Sequence, residues 1–211
     1  MNNSKIKKLN RFTTLPFLLD ILTRKKLTLL DPEKWDDKND SKIICEYKRQ
    51  KKIENVLVLC FSFGSETLHH WKTYANGSSG CCIEFDFDLL LKNINEKEGI
   101  RHKWVIYKKI SEVESKKYEV DDIPFIKRWP YRFEKEYRII WEGKTDNQTI
   151  EIDIPLDVIK KITISQEMPE TVFKSVEKII NEITDNKIAI NRSTLYENDR
   201  WINCFMKKNQ T

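Results

Sequence analysis

The chain has 211 residues, 38 of them Lys or Arg and 33 Asp or Glu, with a formal net charge of +5. That length suits one domain with one sizeable core better than two small ones. No apolar run approaches the roughly 18 residues of a membrane span, and the start Met1-Asn2-Asn3-Ser4-Lys5 lacks the apolar region of a signal peptide, so a cytoplasmic protein without membrane association is expected.

The five cysteines, Cys45, Cys60, Cys81, Cys82 and Cys204, form no C-x-x-C pair, and the adjacent Cys81 and Cys82 point to opposite faces of a strand. Buried cytosolic thiols are therefore expected in place of a zinc site or a disulfide framework. The mild positive charge is spread along the chain and permits a polyanionic partner without requiring one. Of only 5 glycines, Gly64, Gly77 and Gly80 fall close together with His69 and His70 between them. Scarce glycines that cluster mark a backbone that turns tightly or approaches something closely.

In chain order, Thr13 or Thr14 before Pro16 signals a helix start, and Leu15, Leu18, Leu19 and Leu22 recur at helical spacing. A short strand over 27–30 stops at Asp31-Pro32, and Ile43, Ile44, Tyr47 and Lys51 predict a second helix with a basic outer face, 48–52. The run 55–63 is continuously apolar, the pattern of a strand buried on both faces. A helix is predicted over 65–75, a tight loop over 76–80, a second central strand over 81–86, and a helix through Leu89–Leu91 capped by Asp86 or Asp88. A strand follows over 104–110, then an acidic loop or weak helix reaching Asp121 and Asp122. Alternation predicts strands at 137–141 and 150–154, with shorter ones at 162–164 and 188–190 flanking a helix whose stripe runs from Val172 to Ile183. The whole reads as one α+β domain, 1–211, with two or three helices preceding a mixed, mostly antiparallel sheet.

Four groups of residues invite a chemical reading. In the window 60–84, a helix rich in His, Trp and Tyr lies between two buried strands, so ligand binding competes with Trp71 and Tyr74 as core anchors and surface histidines. His69 and His70 diverge by about 100° on a helix and make a poor metal site, so no metal is expected there. Glu134, Glu136 and Arg138 share one face if they stand on a strand; paired carboxylates need a compensating cation, Arg138 or Arg132, and the alternative is a solvated charged face. Arg11, beside a predicted helix start, suits an anion, or is solvated next to a capping threonine. The carboxylates of 36–40 lack the glycine and distal Glu of a calcium loop and serve equally as helix caps.

The pieces R-F-T-T, L-T-L-L-D-P-E-K-W-D-D, V-L-C-F-S, W-K-T-Y-A-N-G-S-S-G-C-C-I-E-F-D, F-E-K-E-Y-R-I-I and I-P-L-D-V-I-K-K-I-T-I-S occur in this order over nearly the whole chain. On these the sequence resembles the bacterial family catalogued as domain of unknown function 2971. More distantly, the order of a strand with Arg11, a helix, strand 55–63, helix 65–75, strand 81–86 and a late strand opening with Glu136-Tyr137 is similar to the ADP-ribosyltransferase fold, with its split sheet and flanking helices. E-K-E-Y-R-I-I looks like both the E-x-E pattern of the arginine-type branch and the E-Y-x-[IV] pattern of the poly-ADP-ribose branch.

The resemblance implies NAD as co-substrate. It implies Arg11 gripping the ribose or phosphate with Thr13 in support, and Phe61, Ser62 or Phe63, together with Trp71 and Tyr74, forming the nicotinamide pocket. Glu136 is then the catalytic glutamate and Glu134 the residue that orients or deprotonates the acceptor. The chain departs from the pattern in having no Ser-Thr-Ser triplet, no histidine at the first motif and no tyrosine on 55–63. The function implied is transfer of ADP-ribose to a macromolecular acceptor, nucleic acid being the first to test, by a toxin or phage-defence effector with a neutralising antitoxin or defence-system partner. Two other classes stay open: a non-catalytic nucleotide or nucleic-acid binding module, and a metal-dependent nuclease using Asp36, Asp37, Glu134 and Glu136.

Overall fold

The computed structural model describes residues 7–145 and 147–206; the Met1–Lys5 start lies outside them. Strands and helices alternate along the chain: β1 (Lys8–Thr14), α1 (Leu15–Arg24), β2 (Lys26–Leu30), α2 (Lys38–Lys51), β3 (Asn55–Ser62), α3 (Leu68–Tyr74), β4 (Gly80–Asp86), α4 (Phe87–Ile94), β5 (Ile100–Trp104), β6 (Ile106–Lys108), α5 (Ile110–Glu114), β7 (Ile126–Arg128), β8 (Glu136–Gly143), β9 (Thr149–Asp153), β10 (Ile159–Ile164), α6 (Glu170–Thr184), β11 (Ala189–Arg192) and α7 (Asp199–Met206). The result is an α+β fold whose nine-stranded sheet is antiparallel except for β10 beside β11. β6 and β7 form a separate parallel pair.

The strand read from the apolar run is the axis of this sheet. Alternation along β3 sends Leu57, Leu59 and Phe61 into the main core, where they meet Leu18 and Leu22 of α1, Leu90 and Ile94 of α4, and Ile180 of α6. Val56 and Val58 point the other way, into a smaller core with Ile44 and Tyr47 of α2, Phe125 and Ile140. A strand apolar on both faces is what a sheet covered on both sides requires. Each such side chain, fully buried, contributes about 1.5–3 kcal/mol of transfer free energy.

The helices are interleaved with the strands and are not gathered ahead of the sheet. The cause is β1, which lies in the interior of the sheet and pairs with β4 from Lys8↔Asp86 to Thr14↔Gly80. α3 starts at Leu68, later than the spacing suggested, because Thr67 caps it, its hydroxyl accepting from the His70 backbone N–H. The acidic run before Ile43 leads into α2, with Asp40 in the first turn and the Asp37 carboxylate capping it by accepting from the backbone N–H groups of Asn39 and Asp40. The strand expected over 104–110 is two strands. β5 follows β8 as far as Trp104↔Tyr137, and Val105 N–H donates to Glu136 O at 3.0 Å. There the ladder ends, because Lys135 turns the preceding chain away at φ 47°. Among the described residues, no helix is long and apolar enough to cross a membrane.

Gly80 shows what the glycine cluster is for. A Cβ at this position would stand 1.8 Å from the carbonyl oxygen of Ala75, where the loop after α3 folds back on the start of β4. Gly80→Ala is expected to lower unfolding free energy in urea by about 1–3 kcal/mol, the cost of forcing a methyl group into a filled space. An unchanged midpoint would mean that the loop relaxes freely.

Candidate active site

β3 is paired with β8 along one whole edge, from Asn55↔Gly143 to Ser62↔Glu136. Its other edge is divided between β1, at Asn10↔Ser62, and β2, at Leu30↔Val58. Between those contacts the sheet splits. Arg11 fills part of the gap, its Nη1 donating at 3.0 Å to the Cys60 carbonyl that has lost a strand neighbour. Burial pulls the pKa of this guanidinium below its ordinary value. A cavity of about 680 Å³ lies over the split, walled by 10–13 of β1, 58–62 of β3, 34–37 ahead of α2, and His69, His70 and Tyr74 of α3.

The floor is charged. Alternation on β8 puts Tyr137, Ile139 and Trp141 into the main core, and so Glu136 and Arg138 onto the face shared with α2. Arg138 is completely buried. Its Nε donates to Glu136 Oε1 at 2.6 Å and its Nη2 to Glu136 Oε2 at 2.9 Å. Nη1 and Nη2 donate to the two oxygens of Asp40 at 3.0 and 2.6 Å, and Nη1 also to Pro124 O at 2.7 Å. Every one of the five N–H groups of a guanidinium is thereby used.

Lys127 of β7 supplies a second cation. Its Nζ lies 2.7 Å from Glu134, 3.4 Å from Asp40, 3.5 Å from Glu136 and 3.8 Å from Asp37. Burial alone would raise the pKa of Glu136, but Arg138 and Lys127 outweigh it and bring the carboxyl down to about 2. Glu134 goes the other way: burial lifts it above its ordinary value, against the pull of Lys127 and of Tyr74, whose hydroxyl donates to Glu134 Oε1 at 2.6 Å. Burial disfavours the charged form of Lys127, yet Glu136, Asp40 and Glu134 raise its pKa above the usual lysine value. The two glutamates are therefore separated in character, one held ionised by its cations and the other shifted by burial towards its neutral form. The Cys60 thiol, pushed well up by burial and by Glu136, is a poor nucleophile.

Backbone and ring contacts fix the glutamates from outside. The Glu136 N–H donates to the Tyr107 hydroxyl at 2.8 Å. His70 is buried, stacked on Phe12 with centroids 4.9 Å apart, and its Nε2 lies 3.0 Å from Glu134 O. A carbonyl only accepts, so Nε2 carries the proton and Nδ1 accepts from Thr67 Oγ1 at 2.9 Å. Burial lowers the pKa of this ring, which favours that neutral form.

Of the residues singled out in the sequence, Arg11, Thr13, Phe61, Ser62, Tyr74, Glu134 and Glu136 line this one cavity. Phe63 and Trp71 are not in its lining: Phe63 packs on Trp104 at 4.7 Å, and Trp71 is buried beside Phe12 with Nε1 donating to Glu66 at 2.7 Å. Arg11 stands within β1, not at the mouth of α1. Glu134 belongs to a 3-10 turn, 129–134, and not to the strand face of Glu136; the two carboxylates meet through Lys127. His70, for which a surface position was the alternative to ligand binding, is interior and lines the cavity. Lys127 escaped the sequence reading altogether, and Asp40 entered it only among the carboxylates of 36–40, as a helix cap or loop residue. Asp40 had a signal, since it precedes Ile44 and Tyr47 by four and seven residues and so puts a carboxylate on the buried stripe of α2. Lys127, on a three-residue strand, had none. Among the described residues, no group of three or more His, Cys, Asp and Glu is placed to hold a metal, and of the carboxylates named for a nuclease, Asp37 and Glu134 are paired with Lys127 and Glu136 with Lys127 and Arg138.

Residues 70–139 match the family model described as "Protein of unknown function (DUF2971)". That segment runs from α3 to the middle of β8. No curated protein matches the sequence. Among solved structures, the chain is similar to Thermus sp. 2.9 DarT in complex with ADP-ribosylated ssDNA, at 11% identity and a TM-score of 0.44 over 90% of this chain and 95% of that one. It is similar also to the same DarT in complex with NAD+, at 10% identity and a TM-score of 0.43 over 90% and 96% of the two chains.

The depressed pKa of Glu136 has a consequence for acid stability. A carboxyl that titrates lower folded than unfolded stabilises the fold fully above its ordinary value of 4.5 and loses that contribution as pH falls through about 2. Arg138→Met leaves Glu136 and Asp40 without their shared cation and is expected to cost about 3–5 kcal/mol. Urea unfolding followed by circular dichroism should find that deficit largest near neutrality and smaller as pH falls, because acid neutralises the carboxyls left unpaired.

Proposed function

We propose that the protein is an ADP-ribosyltransferase that consumes NAD and transfers ADP-ribose to a macromolecular acceptor. The observation that carries the reading is the convergence of Arg11, Ser62 and Glu136, from three strands, on one cavity at a split in the sheet. Those are the three positions to which the sequence resemblance assigns ribose or phosphate binding, the nicotinamide pocket and catalysis. The cavity volume falls in the range of small-molecule sites. Its floor holds four carboxylates against two cations, an excess of negative charge that favours a pyridinium.

In this reading Arg11 and Thr13 hold the ribose and phosphate end, and Phe61, Ser62 and Tyr74 form the nicotinamide pocket. The bond between ribose C1′ and the pyridinium nitrogen breaks with its electron pair leaving on nicotinamide. Glu136, already ionised, accepts from a ribose hydroxyl and stabilises the oxocarbenium-like charge as it grows, which costs no reorganisation at that moment. The acceptor nucleophile forms the new bond to C1′ and gives its proton to Glu134.

A nucleic-acid acceptor is favoured by the turn that leads into Glu134. There Arg132 lies over Trp129 and over Phe133, at 4.9 and 4.1 Å from the ring centroids, and both rings are exposed. Exposed aromatic faces interleaved with a guanidinium suit the bases and backbone of a single strand. A cytoplasmic toxin or phage-defence effector restrained by a neutralising partner is the setting that the resemblance supports.

Incubation with NAD should release nicotinamide, and Glu136→Gln should slow that release by about 10³-fold, the scale of losing a main electrostatic stabiliser. EDTA should have no effect. A folded wild-type protein that releases no nicotinamide with any single-stranded DNA, RNA or protein acceptor would refute the reading. Since Glu134 works as a base and titrates above its ordinary value of 4.5, transfer should rise with pH through an acid limb lying above that value, and Glu134→Gln should abolish the limb.

A further inference from the structure

The Glu136 carboxylate does not hold its own position. Both of its oxygens are taken by Arg138, a neighbour two residues along the same strand whose side chain is free to choose other rotamers unless something else fixes it. That fixing comes from Pro124 O, which accepts from Nη1 at 2.7 Å, and, at both terminal nitrogens at once, from α2. Asp40 takes one terminal nitrogen of Arg138 on each of its oxygens, along the edge next to the one that faces Glu136, the two edges sharing Nη2. Asp40 in turn is immobilised from two sides. Its backbone N–H is capped by Asp37, and one and two turns further along, Ile44 and Tyr47 are buried against Val56, Val58 and Ile140.

We propose that Asp40 is a positioning residue for transfer, acting through Arg138 to set the Glu136 carboxylate at the floor of the cavity. The assignment rests on the transferase reading and extends it to a residue on another element. Lys127 cannot substitute, because an ammonium is a point charge with no planar edge and here lies 3.5 Å from Glu136, against 2.6 Å for Arg138. A guanidinium clamped by two carboxylates on different edges is fixed in position and in plane, and only the second clamp makes the first directional.

The test is a double-mutant cycle on nicotinamide release with Asp40→Asn, Arg138→Gln and the pair together, each checked for folding by circular dichroism. Asp40→Asn should lower kcat by about 10- to 100-fold, the scale of displacing a reacting group by a fraction of an ångström to one ångström, and leave KM for NAD within about threefold. Because Asp40 works through Arg138, the pair should be no slower than Arg138→Gln alone. Full kcat in folded Asp40→Asn, or losses that multiply in the pair, would overturn the proposal while leaving the transferase reading intact. A wild type that releases no nicotinamide overturns both. Should Asp40→Asn fail to fold, Asp40→Glu keeps the charge and displaces the guanidinium by one methylene. It should show the same split, lowered kcat with KM near the wild-type value, and an unchanged kcat would overturn the proposal.

Discussion

One guanidinium organises the charged half of this molecule. Arg138 is wholly buried, and burying a cation is costly unless each of its donors finds an acceptor. It is affordable here because the five N–H groups are divided among Glu136, Asp40 and a backbone carbonyl, which ties β8, α2 and the segment ahead of β7 to one point. Such a cluster adds little net stability over a well-packed apolar one. Its effect is to define geometry: with Arg138 fixed, Glu136 has one orientation, Lys127 settles among the remaining oxygens, and Glu134 is drawn to the same centre although it comes from a different turn.

That arrangement requires the split in the sheet. A continuous partner along the free edge of β3 would satisfy Cys60 O with a strand neighbour and fill the space over Ser62. The division of that edge between β1 and β2 opens a cavity without leaving the carbonyl unpaired, because Arg11 reaches across. The same split lets β3 carry apolar residues towards two cores while its far end borders a polar site. The main core is continuous beneath the cavity, through Leu59, Phe61 and Tyr137, so the charged floor rests on packed hydrocarbon.

The sequence made some of this legible and hid the rest for physical reasons. Strand β3 was plain because a sheet buried on both faces demands an unbroken apolar run, and β8 was plain because Tyr137, Ile139 and Trp141 alternate with polar residues. Glu136 and Arg138 could be placed on one face from that period alone. Glu134 could not, since Lys135 adopts a left-handed conformation and breaks the period between the two glutamates. β1 shows no strong alternation, because Arg11 and Asn10 serve the split, and it came only from the family resemblance. Asp40 was masked by a crowd of carboxylates of which Asp37 is a helix cap, and Lys127 by a strand too short to have a period. His70 could not be told from His69 because two adjacent histidines on a helix look alike in sequence, while His70 is the one stacked on Phe12.

The two cations of the site come from parts of the fold that differ in how firmly they are held. Arg138 is carried by β8, paired on both edges, by β3 and by β5. Lys127 is carried by β7, three residues long and hydrogen-bonded as a strand only to the equally short β6. Local opening takes the least free energy where the ladder is short and exposed. Lys127 is therefore kept at the floor less by its own ladder than by its ion pairs to Asp37, Asp40, Glu134 and Glu136. The two positive charges of the floor are thus anchored by different means, one by the hydrogen-bonded sheet and the other by the carboxylates it neutralises.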